Sequence, residues 1–137
     1  MLSQAYDDSS TRLALVLGTG LNAAIHLPVS AVARAKYGQR PDSWHAEAKH
    51  VLINTEISMF GKDMLPTTRW DDYLNMTHVR PDFQPFEHMC SGRYLGEIVR
   101  LILTEAVQVA GLFGGEVPVG LLEPYALDTG LIAAFER

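Results

Sequence analysis

The chain has 137 residues, 47% of them hydrophobic, which is enough for one globular domain and too few for two. Eleven Lys and Arg against sixteen Asp and Glu give a formal net charge of -5, and no basic run occurs, so neither nucleic acid nor an anionic membrane is an expected partner. The single cysteine, Cys90, cannot close an internal disulfide and no Cys or His spacing matches a zinc site; a reducing, cytoplasmic setting is expected and no metal ligands are assigned.

The N-terminal "MLSQAYDDSS" carries neither a basic nor an apolar leader segment, and no apolar run approaches the roughly 20 residues of a membrane helix. Leu13 to Leu17 is a short continuous apolar run that predicts a strand buried on both faces. Gly18-Thr19-Gly20 is a turn, and Asn22 to Val29 a returning strand, since Pro28 argues against a helix there. Ser30 to Lys49 is polar and irregular, with "KYGQRPDS" as a loop, and reads as an insertion or covering segment. "HVLINTEISMF" (His50 to Phe60) predicts a further strand. "PTTRWDDYLN" predicts a short helix capped by Thr67 or Thr68. Pro85 suits a first helical turn, and Met89, Leu95, Ile98, Val99, Ile102, Ala106 and Val109 recur at helical spacing, predicting one long helix from Phe86 to about Val109 with Gly111 as its C-cap. Shorter helices are expected around Val119 to Glu123 and Thr129 to Glu136. The last of these runs to the end of the sequence without a cap, so the fold is expected to continue beyond Arg137.

Three stretches carry candidate chemistry. Gly18, Gly20 and Ala23 form a Gly-x-Gly-x-x-Ala pattern after a strand, but a dinucleotide site also needs a helix directly after the turn and an acidic residue some 20 positions on, and neither is present. Two readings of the turn stay open: a tight hairpin whose glycines supply positive φ, and a phosphate-contacting hairpin using Thr19 and neighbouring N-H groups. "INTE" (Ile53 to Glu56) ends a strand with three hydrogen-bonding side chains, and "QPFEHMCSGRYLGEIVRLIL" opens the long helix with Gln84 and Glu87. Polar groups at a strand end and a helix start, near a glycine turn, suit recognition of a polyhydroxy ligand.

"LVLGTGLNAA", "INTEISMFG" and "QPFEHMCSGRYLGEIVRLIL", in that order and spacing, resemble the C-terminal (large) domain of eukaryotic hexokinases, nearest to the fungal hexokinase-like and N-acetylglucosamine kinase-like branch. The resemblance runs from about Leu2 to Glu136. It implies an α/β fold of the actin-like ATPase (ribonuclease H-like) type, with a mixed sheet and one long helix, and an ATP-dependent hexose 6-phosphotransferase that feeds glycolysis with Mg2+ and ATP. It further implies that Gly18, Thr19 and Gly20 touch ATP phosphates, that Asn22, Glu56, Glu87 and Gln84 contact the sugar, and that Arg93 stands near the nucleotide where relatives often carry Lys. Glucose or a related hexose is the implied substrate, with N-acetylglucosamine, or a non-catalytic sugar-sensing role, as alternatives.

Two departures matter. Where the family usually reads Asn-Thr-Glu-Trp-Gly-Ala-Phe, this chain has Ile57-Ser58-Met59 in place of Trp-Gly-Ala. The family's catalytic aspartate, in an Asn-Asp-(Thr/Ser) motif that takes the proton from the sugar 6-hydroxyl, is expected just before Met1, and Asp7 and Asp8 do not replace it. The chain is therefore expected to be a partial C-terminal domain, without the first phosphate loop, the Ser-Thr-Lys sugar segment and the adenosine-binding segment. Open apolar strand edges are expected to make it aggregation-prone.

Overall fold

The computed structural model describes residues 10–135; Asp7, Asp8 and Glu136 lie outside them. The described residues form an α/β arrangement, as expected. Strands β1 (Leu13–Leu17), β2 (Leu21–Pro28) and β3 (His50–Asn54) make one sheet in the order β1-β2-β3, with β2 antiparallel to β3 in the register Ala24 to Asn54 through Pro28 to His50. The helices are α1 (Arg34–Tyr37), α2 (Asp42–Glu47), α3 (Arg69–Thr77), α4 (Pro85–Cys90), α5 (Gly92–Ala110) and α6 (Thr129–Phe135). Packing divides the described residues into two compact units: those up to Val16 with Asn22–Glu56, and Leu17–Leu21 with those from Ile57 onward.

In the first unit, Ala23 and Ala24 on β2 are buried. β1 departs from expectation. Leu13, Leu15, Val16 and Leu17 are 50% to 62% exposed rather than buried on both faces, because pairing with β2 engages only one edge of β1 and its faces are buried only where another layer packs on them. β3 is shorter than predicted: the backbone of Glu56 turns left-handed (φ 49) and Ile57–Met59 forms a 3-10 turn, so the strand ends at Asn54. The polar segment after β2 is not a plain loop. It holds α1 and α2, whose Tyr37 and Trp44 rings meet in a tilted contact with centroids 5.1 Å apart.

In the second unit, Thr68 caps α3 as expected. Its side chain accepts the Asp71 N-H, and the Asp71 carboxylate returns a bond to the Thr68 N-H at 2.8 Å, completing a capping box. The predicted single long helix is broken. Ser91 is extended (φ -87, ψ 152) between α4 and α5, and the Gly92 N-H that follows it donates to the Gly18 carbonyl at 2.7 Å. Apolar periodicity continues through the break, so the sequence pattern could not reveal it. Gly111 ends α5 in the left-handed conformation (φ 69, ψ 21), as expected of a C-cap.

The predicted apolar stripe of α5 is not its most buried line. Leu95, Ile98, Val99, Ile102 and Ala106 are half-buried and Val109 is 79% exposed. The opposite side of this 3.6-residue helix carries Tyr94, Glu97, Arg100 and Val107, all buried. Two hydrogen bonds of 2.7 Å join the Arg100 guanidinium to the two Glu97 carboxylate oxygens. The remaining valences tie down the chain beyond α5: Arg100 donates to the Leu121 carbonyl at 2.7 Å and Glu97 accepts the Tyr125 N-H at 2.6 Å. Glu97 beside it raises the Arg100 pKa further above its ordinary value. Gly96, one position before Glu97, has no room for a side chain, since a Cβ there would meet the Leu127 carbonyl. The Thr129 hydroxyl uses that close approach to bridge two backbone groups of the helix, accepting from the Gly96 N-H at 2.9 Å and donating to the Gly92 carbonyl at 2.5 Å.

His88 sits in a ring cluster with His78 (centroids 4.7 Å apart) and Tyr94 (4.5 Å). It is buried, and its Nε2 has no hydrogen-bond partner among the described residues. Burial, then the neighbouring His78, push its pKa below 6.5, against a smaller opposing effect of Glu87.

Two outcomes follow. Arg100→Met leaves a buried carboxylate short of its partner and is expected to cost about 3–5 kcal/mol, whereas the double variant Glu97→Leu/Arg100→Met costs less than either single change, as urea denaturation would measure. Because the folded state holds His88 neutral while the unfolded chain protonates it, the stability it contributes is complete above pH 6.5 and is lost as pH falls below that value. Melting temperature is thus expected to fall between about pH 7 and 5.5, and His88→Phe to flatten that part of the profile.

Candidate functional site

The turn at residues 17–21 explains its own lack of side chains, though not through backbone conformation. Neither Gly18 nor Gly20 has a positive φ, so the hairpin reading in which the glycines supply one is set aside. Gly20 is bare because Glu87 comes in against it: a Cβ on Gly20 would lie 2.9 Å from Glu87 Oε2. The Leu21 N-H donates to that oxygen at 2.8 Å. Within the turn the Gly18 N-H donates to the Gly20 carbonyl at 3.0 Å, and a Cβ on Gly18 would meet nothing within 4 Å. Thr19 is exposed. The turn therefore presents an unobstructed outer face while its inner side is fixed by Glu87 and by Gly92.

Gln84 and Glu87 flank the start of α4. Gln84 holds the left-handed N-cap position (φ 57, ψ 51), followed by Pro85 at the first helical residue. Its Nε2 donates at 3.1 Å to Ser58 Oγ, which is 1% exposed. Glu87 Oε2 is committed to Leu21, and Oε1 has no hydrogen bond among the described residues, leaving one carboxylate oxygen able to accept from a ligand hydroxyl. Arg93 is exposed, with its guanidinium 5.8 Å from the Tyr94 ring; it follows Gly92, the residue bonded to the turn. Cys90 donates its thiol to the Phe86 carbonyl at 3.0 Å, and burial, then Glu87, raise its pKa, the opposite of an activated nucleophile.

The first unit holds a second polar cluster. Asn22 Oδ1 accepts the Ala23 N-H at 2.8 Å, and its Nδ2 donates at 2.8 Å to Asn54 Oδ1. Asn54 Nδ2 in turn donates at 2.6 Å to Glu56 Oε1. Thr55 clamps the end of β3 to β2, its N-H and its hydroxyl both donating to the Ala23 carbonyl at 3.0 and 2.8 Å. Glu56 is exposed and held in the left-handed region, which costs a non-glycine residue about 1–3 kcal/mol. The sequence pointed to Asn22, Glu56, Gln84 and Glu87. It did not indicate that Asn54 links Asn22 to Glu56, or that Ser58 holds Gln84. The only sequence signals for these two were a strand ending in Asn-Thr-Glu and a serine where the family pattern has glycine.

Comparison with known proteins identifies the family. The family model described as Hexokinase matches residues 12–137. Hexokinase-1 of Nicotiana tabacum is 37% identical over 135 residues, covering 96% of this chain and 25% of the tobacco protein. Hexokinase-5 of Oryza sativa subsp. japonica is 39% identical over 132 residues, with 96% and 25% covered. The hexokinase of Kluyveromyces lactis is 31% identical over 138 residues, with 99% and 28% covered. A solved Schistosoma mansoni hexokinase complexed with glucose superposes with a TM-score of 0.83 at 32% identity, over 98% of this chain and 29% of that one. The chain thus spans about a quarter of the length of the relatives it matches. The three-stranded sheet, the glycine turn bonded to α4 and α5, and these matches together place the chain in the hexokinase family.

Proposed function

We propose that this chain is the part of an ATP-dependent hexose 6-phosphotransferase that carries one phosphate turn and half of the sugar contacts, and that it corresponds to a partial C-terminal large domain. The observation that carries the reading is the Glu87 to Leu21 hydrogen bond at 2.8 Å against a bare Gly20. One carboxylate braces the turn proposed to meet ATP phosphates and keeps its second oxygen for a sugar hydroxyl. A single side chain would then couple phosphate and hydroxyl positions, which is what in-line transfer requires of its binding groups.

In this reading the outer face of Gly18, Thr19 and Gly20 receives phosphate oxygens, the Thr19 hydroxyl adds a donor, and Arg93 adds positive charge. Asn22, linked through Asn54 to Glu56, and Gln84 offer amide groups to sugar hydroxyls, while the Glu56 and Glu87 carboxylates accept from them. Mg2+ would arrive with the ATP phosphates, since among the described residues no group of three or more His, Cys, Asp or Glu side chains could hold a metal. The Asn-Asp-(Thr/Ser) sequence that would supply the base does not occur in these 137 residues. A cytoplasmic setting is proposed on the free thiol of Cys90.

Ile57-Ser58-Met59 favours a second reading. Ser58 Oγ accepts from the Gln84 amide, so one donor proposed for the sugar is partly engaged within the chain. A hexose altered at one hydroxyl, such as N-acetylglucosamine, or a sugar-sensing role without turnover, fits that change.

The chain by itself is expected to have negligible kinase activity, and a coupled assay showing robust ADP production with any hexose would overturn that expectation. Gly20→Ala is expected to displace the Glu87 carboxylate and weaken glucose binding about tenfold, roughly 1.4 kcal/mol, with little loss of stability. Amide shifts at Leu21 during a glucose titration would follow it; unchanged binding would remove Glu87 from the site.

A further inference from the structure

We infer that the outer edge of β3 is a docking site for an extended acidic peptide segment. A groove of about 810 Å3 runs along this edge, bounded by residues 50–55 on one side and by Lys36, Tyr37, Arg40 and Trp44 on the other. All of these residues belong to the first compact unit.

The backbone pattern shows what the edge offers. The Thr55 N-H donates to the Ala23 carbonyl and the Val29 N-H to the Lys49 carbonyl, each at 3.0 Å. In the antiparallel register these bonds put the odd-numbered residues of β3 in the hydrogen-bonded pairs with β2. The N-H and C=O groups of His50 and Leu52 therefore point the other way, toward the groove, where β3 has no further strand beside it among the described residues. An incoming strand would find that ladder ready. Leu52, 51% exposed, offers apolar contact to it.

The facing wall selects charge. Lys36 and Arg40 line the groove and no carboxylate does, even in a chain of net charge -5. Arg40 is held in place: its Nε donates to the Tyr37 carbonyl at 3.0 Å and its guanidinium lies 5.8 Å from the Trp44 ring. The Tyr37 and Trp44 rings, in tilted contact, give an incoming peptide an apolar flank. A second copy of this chain is a poorer occupant, since pairing β3 with β3 would bring two sets of Lys36 and Arg40 to one seam. An acidic strand neutralises them instead.

The test uses the full chain, labelled for amide NMR, and a blocked heptapeptide of alternating glutamate and valine. Binding is expected to shift the His50 and Leu52 amides and to slow their hydrogen exchange. Lys36→Glu/Arg40→Glu is expected to weaken it at least tenfold, as is lysine in place of the peptide's glutamates, a comparison that needs no variant protein. Equal binding of the lysine peptide would overturn the proposal. So would equal binding of a peptide N-methylated at alternate residues, which cannot extend the ladder and would mark the groove as an anion site only, or a dimer in sedimentation whose interface protects the β3 amides.

Discussion

The contact between the Glu87 carboxylate and the Leu21 N-H organises the candidate site in the second unit. A carboxylate can reach a backbone N-H at the foot of a hairpin only if nothing stands in the way, and Gly20 supplies that absence. For Glu87 to arrive there, the chain has to leave α4 and start α5 in a new direction, which the extended Ser91 accomplishes. The Gly92 N-H freed at that break is taken by the Gly18 carbonyl. A charge-assisted bond and a backbone bond thus grip the turn at both ends, and the glycine turn, the helix break and the acidic residue form one device.

A comparable economy governs the long helix. Its most buried line includes a charged pair beside Tyr94 and Val107, and the Glu97 to Arg100 pair compensates for its own burial by taking up the backbone groups of Leu121 and Tyr125. Burying two charges is costly unless every remaining donor and acceptor finds a partner. Here the partners are segments distant in sequence, so the pair fixes where the chain goes after α5. Gly96 and Thr129 fix the same stretch through close backbone approach.

Two of the six described non-glycine residues with positive φ lie where ligand contacts are proposed. Glu56 and Gln84 both occupy the left-handed region without being glycine. Each is restrained by a neighbour, Asn54 in one case and Ser58 in the other. Such conformations persist only where surrounding bonds over-determine them, and they place polar side chains at angles that regular strands and helices do not reach.

Much was legible in the residues alone. The turn at Gly18 to Gly20, the Thr68 cap, the Gly111 stop and the family resemblance rest on local chemistry, in which a residue type and its near neighbours suffice. Of the two readings of the glycine turn, the one resting on positive φ fails, and the space at Gly20 is needed by Glu87, whose carboxylate meets the neighbouring Leu21 N-H across 66 residues of sequence. The same limit explains β1 and α5. An apolar run or stripe records that a surface is suited to burial, whereas what covers it is decided elsewhere in the chain. Hence Leu13 and Val109 lie exposed while Glu97 and Arg100 lie inside. Sequence by itself determined the family resemblance and which polar groups stand at the turn, the strand end and the helix start, since these depend on residue type and local order. Tertiary structure decided which of their oxygens are already engaged and which remain open, because that depends on partners brought together only by folding.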